Sequence, residues 1–217
     1  MPLKPSEISI VIADDHPMLL KGLYDELTKH NYNVVSQALQ GMQALEAVLS
    51  ERPDVALLDI DMPLLTGFDV VKMAKEKGVL TKFIVLSFHK ESEYVAQAKS
   101  LQIEGYLLKE DSFFEIERCI QTVLSGKTCF SKSFDTKAII DAEDELGKLK
   151  LLTPSETLIL KKIANQSSTN AIAEQLSVSS RTIEKHRSNI IEKLGLKQVN
   201  TKLSNWAMTN KVIILAL

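Results

Sequence analysis

Short apolar segments alternate with helical segments five times along the first 125 residues. The apolar segments are rich in Val, Ile and Leu, as strands buried on both faces are. We predict strands over residues 8–13, 32–38, 55–58, 82–87 and 106–108, each followed by a helix. Strands that alternate with helices form a parallel sheet covered on both sides. The pattern therefore predicts an α/β domain with a doubly wound, five-stranded parallel sheet.

The composition is that of an ordinary globular protein. The chain has 217 residues, of which 45% are hydrophobic and 25% are charged, enough for one large domain or two smaller ones. No stretch approaches the ~20 apolar residues of a membrane span, and the N-terminus lacks the features of a signal peptide. We therefore expect a cytoplasmic protein with no membrane contact. Cys119 and Cys129 are too few for a disulfide framework, and we expect both to be packing residues.

Charge divides the chain near residue 150. Residues 150–217 contain ten Lys and Arg against four Asp and Glu, and the first 149 residues contain 16 against 24. An acidic half followed by a basic half indicates separate domains. The polar, highly charged stretch between them is typical of a linker. We predict a first domain over residues 6–126, a linker over 127–149 and a second domain over 150–217.

Only helical patterns appear beyond the linker. Thr153-Pro154-Ser155-Glu156 is a strong helix start, with a capping Thr, a first-turn Pro and a Glu at the third position. Further helices are predicted over residues 169–175, 180–194 and 200–210. The turn at 177–179 joins two of them as in a helix-turn-helix, whose second helix can enter the DNA major groove. We therefore predict a small all-α domain of four helices. A helical interaction module with a solvated polar face is the alternative at this point.

Polar side chains that suit phosphoryl chemistry follow the predicted strands. Asp14 and Asp15 end the first strand, Asp59 the third and Ser87 the fourth, and Lys109 follows the fifth. The carboxyl ends of parallel strands share one rim of the sheet. Carboxylates that repel one another there favour a hard cation such as Mg²⁺, which prefers oxygen ligands. A carboxylate in such a site can attack a phosphoryl group, and a hydroxyl and an ammonium group would stabilise its oxygens.

These motifs, in this order, resemble the receiver domain of two-component response regulators. The resemblance rests on the pair Asp14-Asp15, on "DIDMP" around Asp59, on "LS" ending at Ser87 and on "GYLLK" ending at Lys109. Such a domain has a flavodoxin-like fold and covers residues 8–125 here. Together the motifs are a specific signal, whereas each of them alone would be weak.

The resemblance to receiver domains implies roles for individual residues. Asp59 would accept a phosphoryl group from a histidine kinase. Ser87 and Lys109 would contact the phosphoryl oxygens, and Tyr106 would reorient on activation. The implied ligands of Mg²⁺ are Asp14 through water, Asp15, Asp59 and the backbone carbonyl of Asp61.

The stretch "LTPSE…IAEQLSVSSRTIEKHRSNIIEKLGL" resembles the LuxR-type DNA-binding domain, over residues 151–214. The whole chain is thus similar to NarL/FixJ-type response regulators. This implies a transcription regulator that binds promoter DNA as a homodimer and is not an enzyme. By position on the helix, the expected base contacts are Glu184, Lys185 and Ser188, and the expected phosphate contacts are Arg181, Thr182 and Arg187.

Two other functions fit part of the sequence. A receiver that works without phosphate is favoured by Phe88, where a small residue is usual, and by Asp61, which with His89 would flank the path of attacking water. A phosphatase is the other alternative, because Asp59-Ile60-Asp61 fits the D-x-D motif of haloacid-dehalogenase-like enzymes. That family carries the motif on its first strand and has Thr or Val where this chain has Pro63.

Overall fold

The computed structural model describes residues 4–134, 140, 144, 146–197 and 202–216. The chain forms two compact units. The first comprises Met1–Lys90 and Leu101–Asp135, and the second comprises Glu91–Ser100 and Thr136–Leu217. The predicted domains differ from this division, because Glu91–Ser100 belongs to the second unit. Each unit is described below by itself.

A parallel sheet with helices around it forms the first unit. Its strands are β1 (Ser9–Ala13), β2 (Asn33–Ala38), β3 (Val55–Asp59), β4 (Lys82–Ser87), β5 (Gly105–Leu108) and β6 (Cys129–Phe130). Its helices are α1 (Pro17–Lys29), α2 (Gly41–Glu51), α3 (Gly67–Glu76) and α5 (Phe113–Leu124), while α4 (Ser92–Ser100) belongs to the second unit. The strand order is β2-β1-β3-β4-β5-β6, and all neighbouring strands are parallel.

The order of the strands creates a ligand site at their carboxyl ends. From β1 the chain turns to one side for β2 and to the other side for β3, and such a switch point opens a crevice between the two strand ends. All five residues of β3 are buried, so its apolar sequence serves the core. The register pairs Asp59 with Leu86 and Ser87 with Leu108. The polar strand ends therefore lie at a common rim.

The close approach of α3 to the end of β3 requires a glycine. The amide of Gly67 donates to the carbonyl of Ile60 over 2.9 Å, and a Cβ at Gly67 would collide with the carbonyl oxygen of Asp59. Thr66 caps the same helix, and its side chain accepts from the amide of Asp69. Glycine thus lets the helix start directly behind the strand that carries Asp59.

The predicted doubly wound parallel sheet is confirmed, and among the described residues it has six strands, one more than predicted. The additional strand, β6, lies inside the segment predicted as a linker. The Cys129 amide donates to the Glu104 carbonyl, and the Ser131 amide donates to the Tyr106 carbonyl, both over 2.8 Å. A strand of two residues is too short to show a sequence period. The receiver sheet thus extends past the predicted boundary at residue 126.

The second unit is helical. After residue 150 it contains α6 (Pro154–Ala164), α7 (Thr169–Gln175), α8 (Ser180–Lys193), α9 (Leu203–Thr209) and α10 (Lys211–Ala216). The capping box predicted at Thr153 and Glu156 is present, and Ser179 caps α8 through its side chain. The predicted all-α domain is confirmed. Within the described residues it has one helix more than predicted after residue 150, because the apolar end forms α10 and buries Ile213 and Ile214. The start predicted for the preceding helix, at residue 200, lies outside the described residues.

Candidate phosphoacceptor site and nucleic-acid interface

Lys109 joins the ends of β1 and β3. Its Nζ lies 2.8 Å from Asp14 Oδ2 and 2.9 Å from Asp59 Oδ2. The side chains of Lys109, Asp14 and Asp59 are 6%, 9% and 2% exposed, so the two ion pairs lie almost completely out of water. Charges buried in this way are strongly coupled, and removal of one leaves the others without compensation.

Burial and pairing shift the pKa values of these groups. Burial raises the pKa of Asp59, and the hydrogen bond from Lys109 only partly opposes this effect. Burial alone would lower the pKa of Lys109, but its hydrogen bonds to Asp14 and Asp59 outweigh burial and raise it. Lys109 is therefore held as a cation beside a desolvated Asp59 carboxylate.

The residues at this rim fit a hard divalent cation. Asp14, Asp15, His16 and Asp59 each offer one ligand atom, and these atoms all lie within 4.8 Å of one another. Three of the four are carboxylates, the ligand type that Mg²⁺ prefers. The Asp61 side chain is not among these ligand atoms: it is 64% exposed and lies 2.7 Å from His89 Nε2. Only its backbone carbonyl was predicted as a ligand.

His16 is part of the site and was not predicted. Its Nδ1 lies 2.7 Å from Asp15 Oδ1, and its backbone amide donates to Asp14 Oδ1 over 2.9 Å. The contact orients the half-buried Asp15 carboxylate. The position of His16 directly after the acidic pair was the available signal, but adjacency in sequence does not say which way an imidazole points.

His89 connects three of the predicted site residues. Its backbone amide donates to Ser87 Oγ over 3.1 Å, its carbonyl accepts from the Tyr106 hydroxyl over 3.1 Å, and its Nε2 contacts Asp61. Ser87 and Tyr106 are completely buried. The Tyr106 ring packs edge-on against Phe134, with centroids 4.9 Å apart. Consecutive hydrogen bonds therefore link Ser87 to Tyr106 through the backbone of His89.

Phe88 lies beside the lysine of the site. The Lys109 Nζ is 5.3 Å from the centre of the Phe88 ring, within the range of a cation–π interaction. The ring is 61% exposed, so it borders the pocket on the solvent side. The bulky residue noted in the sequence thus covers Lys109 and narrows access to it.

Helix α8 presents a polar face. Its apolar residues Ile183 and Ile190 are buried. The predicted DNA contacts that are exposed are Arg181, Thr182, Glu184, Lys185 and Ser188, and Arg187 is half-buried. This division leaves a polar and basic surface free for a nucleic-acid groove.

Glu184 and Arg187 are among the predicted contacts whose side chains have partners within the second unit. The Thr169 hydroxyl donates to Glu184 Oε1 over 2.8 Å, and Arg187 lies 3.9 Å from the same oxygen while it donates to Ser204 Oγ over 3.5 Å. Arg181 and Lys185 make no ion pair among the described residues. Their charges are therefore available to a phosphate or a base.

An acidic, lysine-bridged pocket at the ends of a parallel sheet, joined to a helix-turn-helix, defines a signalling protein that acts on DNA. Residues 10–121 match the response regulator receiver domain, and residues 150–201 match the bacterial regulatory proteins of the luxR family. The chain therefore belongs to the response regulators that combine a receiver with a LuxR-type DNA-binding domain, as its motifs predict. This is a family of transcription regulators.

Individual relatives agree with this assignment. The transcriptional regulatory protein MctR of Rhizobium johnstonii is 35% identical over 192 residues, which cover 88% of each chain. The receiver domain of the response regulator NarL from Mycobacterium tuberculosis is 33% identical, with a TM-score of 0.53 over 55% of this chain and 98% of that one. The structure of RcsB from Salmonella enterica bound to a promoter shares the fold, with 23% identity, a TM-score of 0.63 and coverage of 96% and 98%.

None of the described helices combines the length and the apolar character that a bilayer span requires.

Proposed function

We propose that this protein is a transcription regulator of a two-component system, active in the cytoplasm and switched by phosphorylation of Asp59. The observation that carries the proposal is the buried bridge from Lys109 to Asp14 and Asp59. It places an ammonium group beside a carboxylate that has almost no contact with water. A histidine kinase is the proposed donor of the phosphoryl group, and promoter DNA is the proposed target.

The side chains of the pocket divide the work of phosphoryl transfer. The Asp59 carboxylate attacks the phosphorus atom as the bond to the donor breaks. Lys109 and Ser87 stabilise the charge that spreads over the phosphoryl oxygens. Asp14, Asp15, Asp59 and the Asp61 carbonyl would hold Mg²⁺, which supplies positive charge that offsets the repulsion between these acids and the phosphoryl group.

The hydrogen bonds around His89 offer a path for the switch. Ser87 Oγ accepts from the His89 amide, and a phosphoryl group that draws the Ser87 hydroxyl toward itself would release this bond. Because the His89 carbonyl holds the Tyr106 hydroxyl, Tyr106 would shift with it. The helix α4 shares a compact unit with the helix-turn-helix, which supports transmission through the face around α4.

The available free energy suits such a switch. A complete change of population needs ~5.5 kcal/mol of differential stabilisation. A phosphoryl group that forms ~1–3 charge-assisted hydrogen bonds of ~1.5–3 kcal/mol each approaches this value. Homodimerisation on DNA, at half-sites ~10 bp apart, would supply the rest. Glu184, Lys185 and Ser188 are the proposed base contacts, and Arg181, Thr182 and Arg187 are the proposed phosphate contacts.

The test is the intact mass of the full chain after incubation with Mg²⁺ and acetyl phosphate, with Asp59→Asn as the control variant. We expect a single labile phosphoryl adduct on the wild type alone. An adduct of equal yield on both proteins would move the acceptor elsewhere. No adduct on either would favour the second candidate, a receiver that regulates without phosphate. The Phe88 ring beside Lys109 is the observation in favour of that candidate.

A further inference from the structure

Two cysteine thiols lie together between α5 and β6. Gly105 and Cys129 are register partners on β5 and β6, so their Cβ positions share one face of the sheet. A Cβ added to Gly105 would lie 2.9 Å from Cys119 Sγ. The Cys119 thiol thus occupies the space that a glycine leaves open, directly beside Cys129. Its Sγ donates to the Cys129 carbonyl oxygen over 3.9 Å.

The contact makes the two sulfur atoms chemically different. The hydrogen bond from Cys119 lowers the pKa of Cys129 to about 7, against the opposing effect of burial and with help from Arg118. The same hydrogen bond, together with burial, raises the pKa of Cys119. One sulfur therefore has thiolate character while the other keeps the proton, and a thiolate is the form that attacks a disulfide.

The position of β6 gives the pair a route to solvent. The strand has two residues and lies at the edge of the sheet. Cys119 is 0% and Cys129 is 4% exposed, so a reagent must wait for a local opening. A short edge strand is among the elements that open at low cost. Cys129, which lies on that strand, would be reached first.

We propose that Cys119 and Cys129 form a reversible intramolecular disulfide with small-molecule disulfides as the oxidant. The Cys129 thiolate attacks one sulfur of the oxidant, forms a mixed disulfide and expels a thiolate. Cys119 then loses its proton to that thiolate and attacks the Cys129 sulfur, which expels the second small thiolate. Two electrons pass from the cysteines to the oxidant, and the two thiol protons end on its two thiols.

The link would act close to the switch residue. Phe130 is the register partner of Tyr106, and Ser131 donates to the Tyr106 carbonyl. A disulfide from α5 to β6 would hold the strand that flanks Tyr106 on one side. The proposal does not depend on phosphorylation of Asp59, so the two ideas can fail separately.

The test exposes the reduced full chain to oxidised glutathione near neutral pH, followed by acid quenching, unfolding and alkylation with iodoacetamide. We expect a wild-type protein that has lost two hydrogen atoms and takes up no alkyl group. Treatment with dithiothreitol should restore two alkylation sites. The proposal would be overturned if both cysteines of the folded protein could still be alkylated after the treatment while the same oxidant links them in the protein unfolded in urea. It would also be overturned by disulfides found only between chains.

The variant Cys119→Ala tests whether Cys119 increases the reactivity of Cys129 or only lies close to it. Without the Cys119 thiol the pKa of Cys129 should rise, and we expect oxidised glutathione to consume Cys129 about tenfold more slowly than in the wild type. The product should be a stable mixed disulfide, because no second thiol resolves it. Equal rates in the two proteins would contradict the assigned role of Cys119. Circular dichroism of Cys119→Ala confirms that the variant is folded.

Discussion

Lys109 contacts Asp59 over 2.9 Å, from Nζ to Oδ2, with both side chains almost fully buried. The lysine follows β5 and the aspartate ends β3, and β4 lies between these strands. The two residues meet because the long lysine side chain extends past the end of β4 to the aspartate. This arrangement makes Lys109 a partner for the charge of Asp59, and the proposed function adds the role of a ligand for a phosphoryl oxygen.

Replacement of Lys109 should impair both roles. In Lys109→Met, Asp14 and Asp59 lose their shared cation, and the rate of adduct formation with acetyl phosphate should fall about a hundredfold, as on loss of a charge-stabilising donor. The free energy of unfolding should fall by ~3 kcal/mol at neutral pH because buried charge is left unpaired. Intact mass over time measures the rate of adduct formation, and urea unfolding measures the stability.

Lys90→Met is the control for Lys109→Met. The ion pair of Lys90 with Glu110 is half exposed, and both the rate and the stability should stay close to wild type. A wild-type phosphorylation rate in Lys109→Met would contradict the role of Lys109.

A buried ion pair should make the stability of the second unit depend on pH. Glu156 is buried and accepts from Lys193 over 2.7 Å. Burial alone would raise the pKa of Glu156, but the hydrogen bonds from Lys193 and Thr153 outweigh it and lower the pKa. The stability that this charge contributes is therefore present above its unfolded pKa of 4.5. It is lost as the pH falls through the lower folded-state pKa.

Glu156→Gln should thus destabilise the protein by ~2 kcal/mol at neutral pH. The difference from wild type should shrink as the pH falls from 4.5 through the lower folded-state pKa of Glu156, because the wild-type carboxylate then becomes protonated as well. Urea unfolding followed by the fluorescence of Trp206, the single tryptophan, measures this. Glu174→Gln, at an exposed position of α7, should change little at any pH. If the difference in unfolding free energy between Glu156→Gln and the wild type stays constant across the pH range, the charge of Glu156 is not the cause of that difference.

The hydroxyl of Tyr106 should matter for the response to phosphate and little for the chemistry. Tyr106→Phe removes the 3.1 Å hydrogen bond to the His89 carbonyl, a loss of ~1 kcal/mol, and keeps the ring contact with Phe134. We expect a normal yield of adduct but a reduced gain in DNA affinity on phosphorylation. The effect on phosphorylation and the effect on the DNA response are separated by measuring adduct yield and DNA binding, each with and without acetyl phosphate. Identical DNA responses in the variant and the wild type would remove Tyr106 from the switch.

The sequence predicted the elements that are long enough to show a regular spacing of apolar residues, and the polar residues that follow the strands. Residues 55–58 of β3 are apolar and the whole strand is buried, so the existence of the strand and the exit of Asp59 at the rim followed directly. Strand β6 and helix α10 were missed because two and six residues are too few for a period to be distinguished from an apolar run. Their existence depends on neighbours that are distant in sequence.

The contacts of the site were only partly foreseeable. Asp14, Asp15, Asp59 and Lys109 come together as the rule for parallel strand ends predicts. The contact between His89 and Asp61 joins residues 28 positions apart, and its geometry depends on side-chain directions that no pattern encodes. The tie between Thr169 and Glu184 is similar, because it depends on the angle between α7 and α8.

Base reading and phosphate contact on α8 should be separable by mutation. Lys185→Ala should cost ~1–3 kcal/mol at a site selected from a random DNA library and should relax the preferred sequence. Arg181→Ala should weaken selected and unrelated DNA equally and reduce the salt dependence by about one counterion. Fluorescence anisotropy at several salt concentrations distinguishes the two patterns. Loss of affinity that is uniform across sequences in Lys185→Ala would reassign it as a phosphate contact.

The contact between His89 and Asp61 should lengthen the life of the phosphoryl group. His89 Nε2 lies 2.7 Å from Asp61 Oδ2, and the two residues lie two positions after the ends of β4 and β3. In His89→Ala this bridge is lost while the backbone bonds to Ser87 and Tyr106 remain possible, so water should reach the Asp59 adduct more easily. A lost hydrogen bond of ~1 kcal/mol corresponds to about fivefold faster hydrolysis. The decay of the adduct by intact mass, after removal of acetyl phosphate, measures this, with His30→Ala on the far end of α1 as control. A longer lifetime in His89→Ala would mean that the imidazole assists hydrolysis and does not shield the adduct.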